Sequence, residues 1–174
     1  HQALVRARVV AGCPQLRGKF EQLRHSILSL HRDPQKLADE VIDMRKKMAE
    51  HLSKTHQTEL DESLLTAEHS FEFKQDPGGI VDIEFMAQFM VLRHAEQHAE
   101  MTRWTDNVRI FETAEKLALL TPADAKILHD AYLAYREHTH RAGLQNEKGV
   151  VPADEFADFR RAVRRLWHAV VIGP

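Results

Sequence analysis

The sequence predicts an all-α bundle of about six or seven helices, arranged around a central helix near residues 78–99. Three observations point there. Apolar residues recur at spacings of three and four along most of the chain. Capping residues, Pro or Gly stand where the stripes begin or end. The most apolar run, Ile80 to Leu92, is broken only by Asp82, Glu84 and Gln88, and it lacks the alternation of a strand. A helix apolar nearly all round is one surrounded by others. Its three polar residues need partners, because an unpaired buried carboxylate is costly.

His1–Ala11 has Leu4, Ala7 and Arg8 at helical spacing and ends at Gly12, a plausible stop. Pro14 suits a first helical turn, and Leu16, Phe20, Leu23, Ile27 and Leu30 follow as one stripe. Asp33 can cap and Pro34 can open the next helix, whose stripe is Leu37, Val41, Met44, Met48 and Leu52. Two successive stripes joined by a short turn predict an antiparallel helical hairpin. Ser53–Glu68 is polar and weakly periodic, a loop or a marginal helix. Phe71 to Lys74 alternates briefly before Pro77, Gly78 and Gly79 break the chain, and no convincing sheet is expected.

Beyond the central helix, Thr102–Asn107 is a polar entry with good capping residues, and Val108, Phe111, Ala114, Leu117 and Ala118 continue helically. Thr121, with Asp124 three residues on, is a second capping signature. That helix runs through Leu128, Ala131, Tyr135 and Ala142 to Gly143. Gln145–Pro152 is a turn region, and Phe156, Phe159, Val163, Leu166, Trp167 and Val170 stripe a last helix.

The 24 Lys and Arg against 26 Asp and Glu give a net charge of -2, which argues against a general nucleic-acid footprint. The single cysteine, Cys13, cannot pair within the chain and has no evident dyad, so a reducing, cytoplasmic setting fits and no chemistry is assigned to it. The apolar run is too short and too interrupted to span a bilayer. A start at His1, inside what reads as a helix, suggests a piece of a longer polypeptide.

Asp82-Ile83-Glu84 behind a glycine turn resembles the metal-binding carboxylates of nucleotidyl transferases. Such a pair converges on a strand, but on a helix it points about 160° apart, which makes a poor two-metal site. Asp82 alone reads as a helix-start acid favoured by the dipole. Glu84 shares a face with Gln88 and reads either as a hydrogen-bonded residue within the bundle or as an active-site group. Gly78 and Gly79 free the backbone to turn and leave amide N–H groups open to an anion that Lys74 would also reach.

The full string Lys74–Phe85, KQDPGGIVDIEF, is more specific than its parts. It resembles the signature of the helical domain following each nucleotidyltransferase domain in the glutamine synthetase adenylyltransferase family. Leu4–Val10 (LVRARVV), Thr102–Ile110 (TRWTDNVRI) and Ala131–Gln145 (AYLAYREHTHRAGLQ) resemble the C-terminal half of that family. The likeness covers nearly the whole chain and is weakest at Ser53–Glu68 and after Gln145. A related alternative, the helical domain of the PII uridylyltransferase, usually lacks the Glu-Phe found here at Glu84-Phe85. A plain helical interaction module without a part in catalysis is the third reading.

The resemblance implies residues 1–11 as the end of the preceding nucleotidyltransferase region or a linking helix, and 12–174 as the bundle. It implies a chain that completes and regulates the adjacent adenylylating domain. The family's Gly-Ser…Asp-x-Asp metal element is absent from this sequence, so the isolated chain is expected to be inactive, with no catalytic residue and no metal of its own. ATP and Mg²⁺ would act in the full-length enzyme, with glutamine synthetase and the PII signal protein as partners. Lys74, Gly78, Gly79, Asp82 and Glu84 match the motif and would face the cleft between the domains. Lys74 and the helix start would hold nucleotide phosphates. Glu84 would position a lysine, a metal-bound water or a ribose hydroxyl.

Tyr132, Arg136, His140 and Gln145 also match the family, the first three as a ridge at every fourth residue. They read as a regulatory or partner-facing site or as an internal polar network. Trp104, Asn107 and Arg109 read as an interface, with Asn107 alternatively a cap. His94 and His98 lack the order and third ligand of a zinc site. Arg160, Arg161, Arg164 and Arg165 read as a solvated basic face or a docking surface for an acidic partner.

Overall fold

A computed structural model describes residues 1–52 and 59–173. Residues 53–58, part of the expected polar loop, lie outside the described residues. The described chain contains seven α-helices: α1 (Gln2–Arg6), α2 (Pro14–Leu28), α3 (Pro34–Leu52), α4 (Ile80–His94), α5 (Asn107–Lys116), α6 (Pro122–Leu144) and α7 (Ala157–Trp167). Short 3-10 turns at Glu62–Leu64 and Ala99–Thr102 and a π turn at His168–Ile172 complete it. The fold is a mostly helical bundle, as the sequence predicts. No described helix is long and apolar enough to cross a membrane.

α4 is the axis. It packs against α1, α3, α5, α6 and α7, and every residue from Ile80 to Leu92 is buried except Glu84 and Gln88. Ile83, Met86, Phe89 and Met90 lie at the centre of the core. Each such side chain removed from water contributes roughly 1.5–3 kcal/mol, which is why five helices converge on this one.

Both helices after the central one are capped, α6 at the predicted Thr121. Asp106 accepts the Arg109 amide at 3.0 Å, and Thr121 accepts the Asp124 amide at 3.1 Å. Asp106 rather than Asn107 is therefore the cap of α5.

Three sequence expectations are corrected. The first helix stops at Arg6, and Ala7 is already extended. The α2–α3 hairpin does not form: α3 packs on α4, while α2 rests on α1 and the Ala99–Thr102 turn. The inward face of α2 carries Arg24 and Leu28, which leaves Leu16, Leu23 and Leu30 64%, 59% and 51% exposed. The third correction is a small antiparallel ladder between β1 (Ser70–Glu72) and β2 (Val150–Pro152), with Phe71 opposite Val151. Strands of three residues are too short to leave a period in the sequence. The ladder delivers Phe71 and Phe73 to an aromatic cluster with Tyr135 and Phe156, at centroid distances of 5.1–5.6 Å.

The turn before α4 is packed without slack. Gly78 has φ 81°, and a Cβ there would lie 2.7 Å from the Arg160 carbonyl oxygen. A Gly79 Cβ would lie 2.5 Å from the Phe73 carbonyl oxygen.

Gly78→Ala is expected to lower unfolding free energy by about 2–4 kcal/mol, through left-handed strain plus a backbone clash, as read by urea denaturation. A second expectation concerns His94, near the end of α4. Burial, with Arg93 and His98 adding, holds its pKa below the ordinary histidine value. The unfolded chain therefore takes up a proton that the fold resists. Stability is present above the unfolded pKa of about 6.5 and is lost as pH falls toward the folded value. His94→Gln should shrink the stability difference between about pH 7.5 and pH 5.5, measured by the same denaturation.

Candidate functional site

The two motif acids on α4 have opposite surroundings. Asp82 is fully buried. One carboxylate oxygen meets Arg45 Nε at 2.6 Å; the other accepts from Arg164 Nη1 at 3.2 Å and from the Gly78 amide at 2.7 Å. Arg45 donates onward to the Gln75 carbonyl at 2.7 Å, and Arg164 pairs with Glu59 at 2.6 Å. Asp82 therefore ties α3, α7 and the glycine turn to α4, and it faces no cleft.

The expectation of open amides at the glycine turn is also corrected. The Gly79 amide donates to the Asp76 carbonyl at 2.9 Å, that of Ile80 to Phe73 at 2.7 Å, and that of Val81 to Lys74 at 3.2 Å. With Gly78 bound to Asp82 and both glycines buried, no free cradle remains for a phosphate.

Glu84 emerges on the other side of the helix. It pairs with Arg6 of α1 at 2.7 Å and lines a groove of about 580 Å³. The groove gathers Lys74 from the turn, Ile80 and Glu84 from α4, Arg6 from α1, and Tyr132, Arg136 and His140 from α6. Helical spacing explains the last three, since residues four apart share a face. A second depression continues it through Arg6, Tyr132 and Arg136 to Arg8, Thr105 and Asp106. Five residues singled out in sequence, Lys74, Glu84, Tyr132, Arg136 and His140, thus meet on one surface.

The groove is cationic. Arg6 is committed to Glu84, and Glu137 to Arg141 at 2.6 Å. Lys74, Arg8 and Arg136 have no carboxylate partner among the described residues, and Arg136 bonds only the Tyr132 hydroxyl, at 3.3 Å. Such a donor set suits a polyanion such as a nucleotide phosphate chain. It does not suit a divalent cation, and among the described residues no three His, Cys, Asp or Glu side chains could hold a metal.

The remaining candidates lie elsewhere. Trp104 has the Arg109 and Arg103 guanidinium groups over its ring, at 4.2 and 4.8 Å from the ring centre. Asn107 is buried, with neither side-chain polar atom bonded. Gln145 sits just past α6, its amide capping the helix end through the Arg141 and Ala142 carbonyls at 3.1 Å. The arginines of α7 are not a free basic face. Arg160 and Arg164 are buried, Arg161 pairs with Glu62 at 2.8 Å, and Arg165 pairs with Asp124 at 2.8 Å.

Sequence reasoning assigned no role to Arg6 or Arg8. Both lie in the family-like string Leu4–Val10, but nothing in their spacing ties them to Glu84, which is 78 residues from Arg6.

A family model described as GlnD PII-uridylyltransferase matches residues 42–148. Bifunctional glutamine synthetase adenylyltransferase/adenylyl-removing enzymes resemble almost the whole chain. The one from Pseudomonas putida is 46% identical over 168 residues, 96% of this chain and 17% of the relative. That of Hahella chejuensis is 45% identical over 170 residues, 98% of this chain and 17% of the relative. That of Pseudomonas aeruginosa is 42% identical over 174 residues, 99% of this chain and 18% of the relative. The chain belongs to the family of that model, and the relatives similar to it along nearly its whole length are glutamine synthetase adenylyltransferases. It spans about a sixth of the length of these relatives. The matched family model is named after the uridylyltransferase, but the named relatives that align along the whole chain are adenylyltransferases.

The two acids should separate in a stability measurement. Asp82→Ala strands Arg45 and Arg164 and is expected to cost about 3–5 kcal/mol of unfolding free energy. Glu84→Gln loses a partly exposed pair and is expected to cost less than about 1 kcal/mol.

Proposed function

We propose that this chain is the C-terminal helical domain of a bifunctional enzyme that adenylylates and deadenylylates glutamine synthetase. In this reading its groove faces the adjacent adenylylating nucleotidyltransferase domain and completes that domain's nucleotide site. One observation carries the proposal: the groove collects Lys74, Glu84, Tyr132, Arg136 and His140 from separate segments and leaves Lys74, Arg8 and Arg136 without carboxylate partners among the described residues. Exposed cations lining one groove raise its positive potential, which draws an anion there.

Lys74 and Arg136 would hold the phosphates of ATP. Glu84 would orient Arg6 and accept a hydrogen bond from a ribose hydroxyl, with His140 at the rim. The metal would be carried by the neighbouring domain, since the donors lining this groove do not fit one. Glutamine synthetase would be the protein substrate, the PII signal protein a regulator and the cytoplasm the setting. The glycine turn, sealed in the bundle, would serve the site by fixing Lys74 and the start of α4. A plain interaction module would seal that turn too, but it gives no reason for unpaired cations around Glu84.

In the full-length enzyme, Lys74→Ala and Arg136→Ala should each raise the KM for ATP about tenfold, the loss of one charge-assisted hydrogen bond, with little change in melting temperature. Wild-type ATP kinetics in both variants would reject the proposal. Assays on glutamine synthetase and on PII as protein substrates separate adenylyltransferase from uridylyltransferase.

A further inference from the structure

Arg24 points inward from α2 and is buried. Its guanidinium is surrounded by backbone carbonyls from two segments. Nε donates to Leu4 at 2.8 Å, Nη2 to Val5 at 2.7 Å and to Trp104 at 3.4 Å, and Nη1 to Thr102. Its acidic neighbour, Glu21, lies 3.8 Å away on the exposed side of the same helix.

α1 has only five residues, too few to be stable by its own hydrogen bonds. At its end the Leu4 carbonyl accepts the Ala7 amide at 3.2 Å, and Arg24 adds a donor to it and supplies one to the Val5 carbonyl. Immediately after Leu4 and Val5 comes Arg6, set on Glu84, and then Arg8, at the far end of the groove. Immediately after Trp104 come Thr105 and Asp106, which line that same end. One guanidinium thus joins the two backbone segments that bring side chains to the groove.

We propose that Arg24 is a positioning residue of the groove: by clasping Leu4–Val5 to Thr102–Trp104, it places Arg6 and Arg8 for an anionic ligand. This rests on the reading of the groove as an anion site. Arg24 touches no ligand and acts only through these backbones. Lysine cannot replace it, because an ammonium on a flexible stem lacks the planar fork that spans both segments.

The test uses the full-length enzyme with ATP as the probe. Arg24→Lys and Arg6→Ala are each expected to raise the KM for ATP about tenfold and to leave kcat within about twofold. The double variant should be no worse than Arg24→Lys alone, since that variant has already displaced Arg6. Amide exchange at residues 2–8 should quicken in Arg24→Lys and not in Arg6→Ala. If Arg24→Lys does not fold, Arg24→Gln, which retains two amide donors, is read in the same way. A lowered melting temperature with wild-type KM marks a merely structural residue and overturns the proposal. Additive KM effects, or unchanged exchange at residues 2–8, overturn it equally. If exchange quickens but Arg6→Ala, Lys74→Ala and Arg136→Ala all keep wild-type KM, the anion-site reading has failed and positioning for that ligand falls with it.

Discussion

The rest of the structure depends on a single buried carboxylate. Asp82 has no water to solvate it, and an isolated ion there would be untenable. Arg45 from α3, Arg164 from α7 and the Gly78 amide all turn toward it. Three distant parts of the chain are thereby brought to one point at the start of the most apolar helix. A buried ion pair adds little net stability over a hydrophobic substitute, but it tolerates no misplacement of its members. Asp82 therefore sets where α3, α4 and α7 lie relative to one another.

One acid of the motif is spent on architecture, and the other is left in the groove, paired with Arg6. Glu84 lies two residues on, so the helix turns it away from the arginine cluster and toward the groove. Lys74 and the aromatic and basic ridge of α6 surround it there. The glycine turn belongs with Asp82 rather than with Glu84, because its amides are consumed within the chain and its Cα atoms pack on the backbone of Arg160 in α7 and of Phe73 and Asp76. The motif thus encodes scaffold and candidate site in alternate residues.

Much of this was legible in the sequence. The central helix, the cap at Thr121 and the ridge of Tyr132, Arg136 and His140 follow from local spacing, and local spacing is what a sequence displays. Where a stripe faces is a different matter. Leu16, Leu23 and Leu30 look like a core stripe, but Arg24 lies inward because backbone carbonyls of distant segments await it. Arg160 and Arg164 look solvated, yet they are buried because Asp82 and the Pro77 carbonyl need donors. Arg6 joins the groove only through a contact 78 residues away. In each case the deciding partner is remote in the chain, and no periodicity reports it.

The β1–β2 ladder carries a consequence for the order of assembly. Phe71 pairs with Val151 across a stretch that contains α4, α5 and α6, so closing the ladder confines all three helices in one large loop. Such closure has an entropic cost that a few strand hydrogen bonds do not offset. It becomes favourable once the helices have already shortened the span between its ends. The ladder is thus a late latch, and the aromatic residues it carries are sealed in only when the rest of the bundle has condensed.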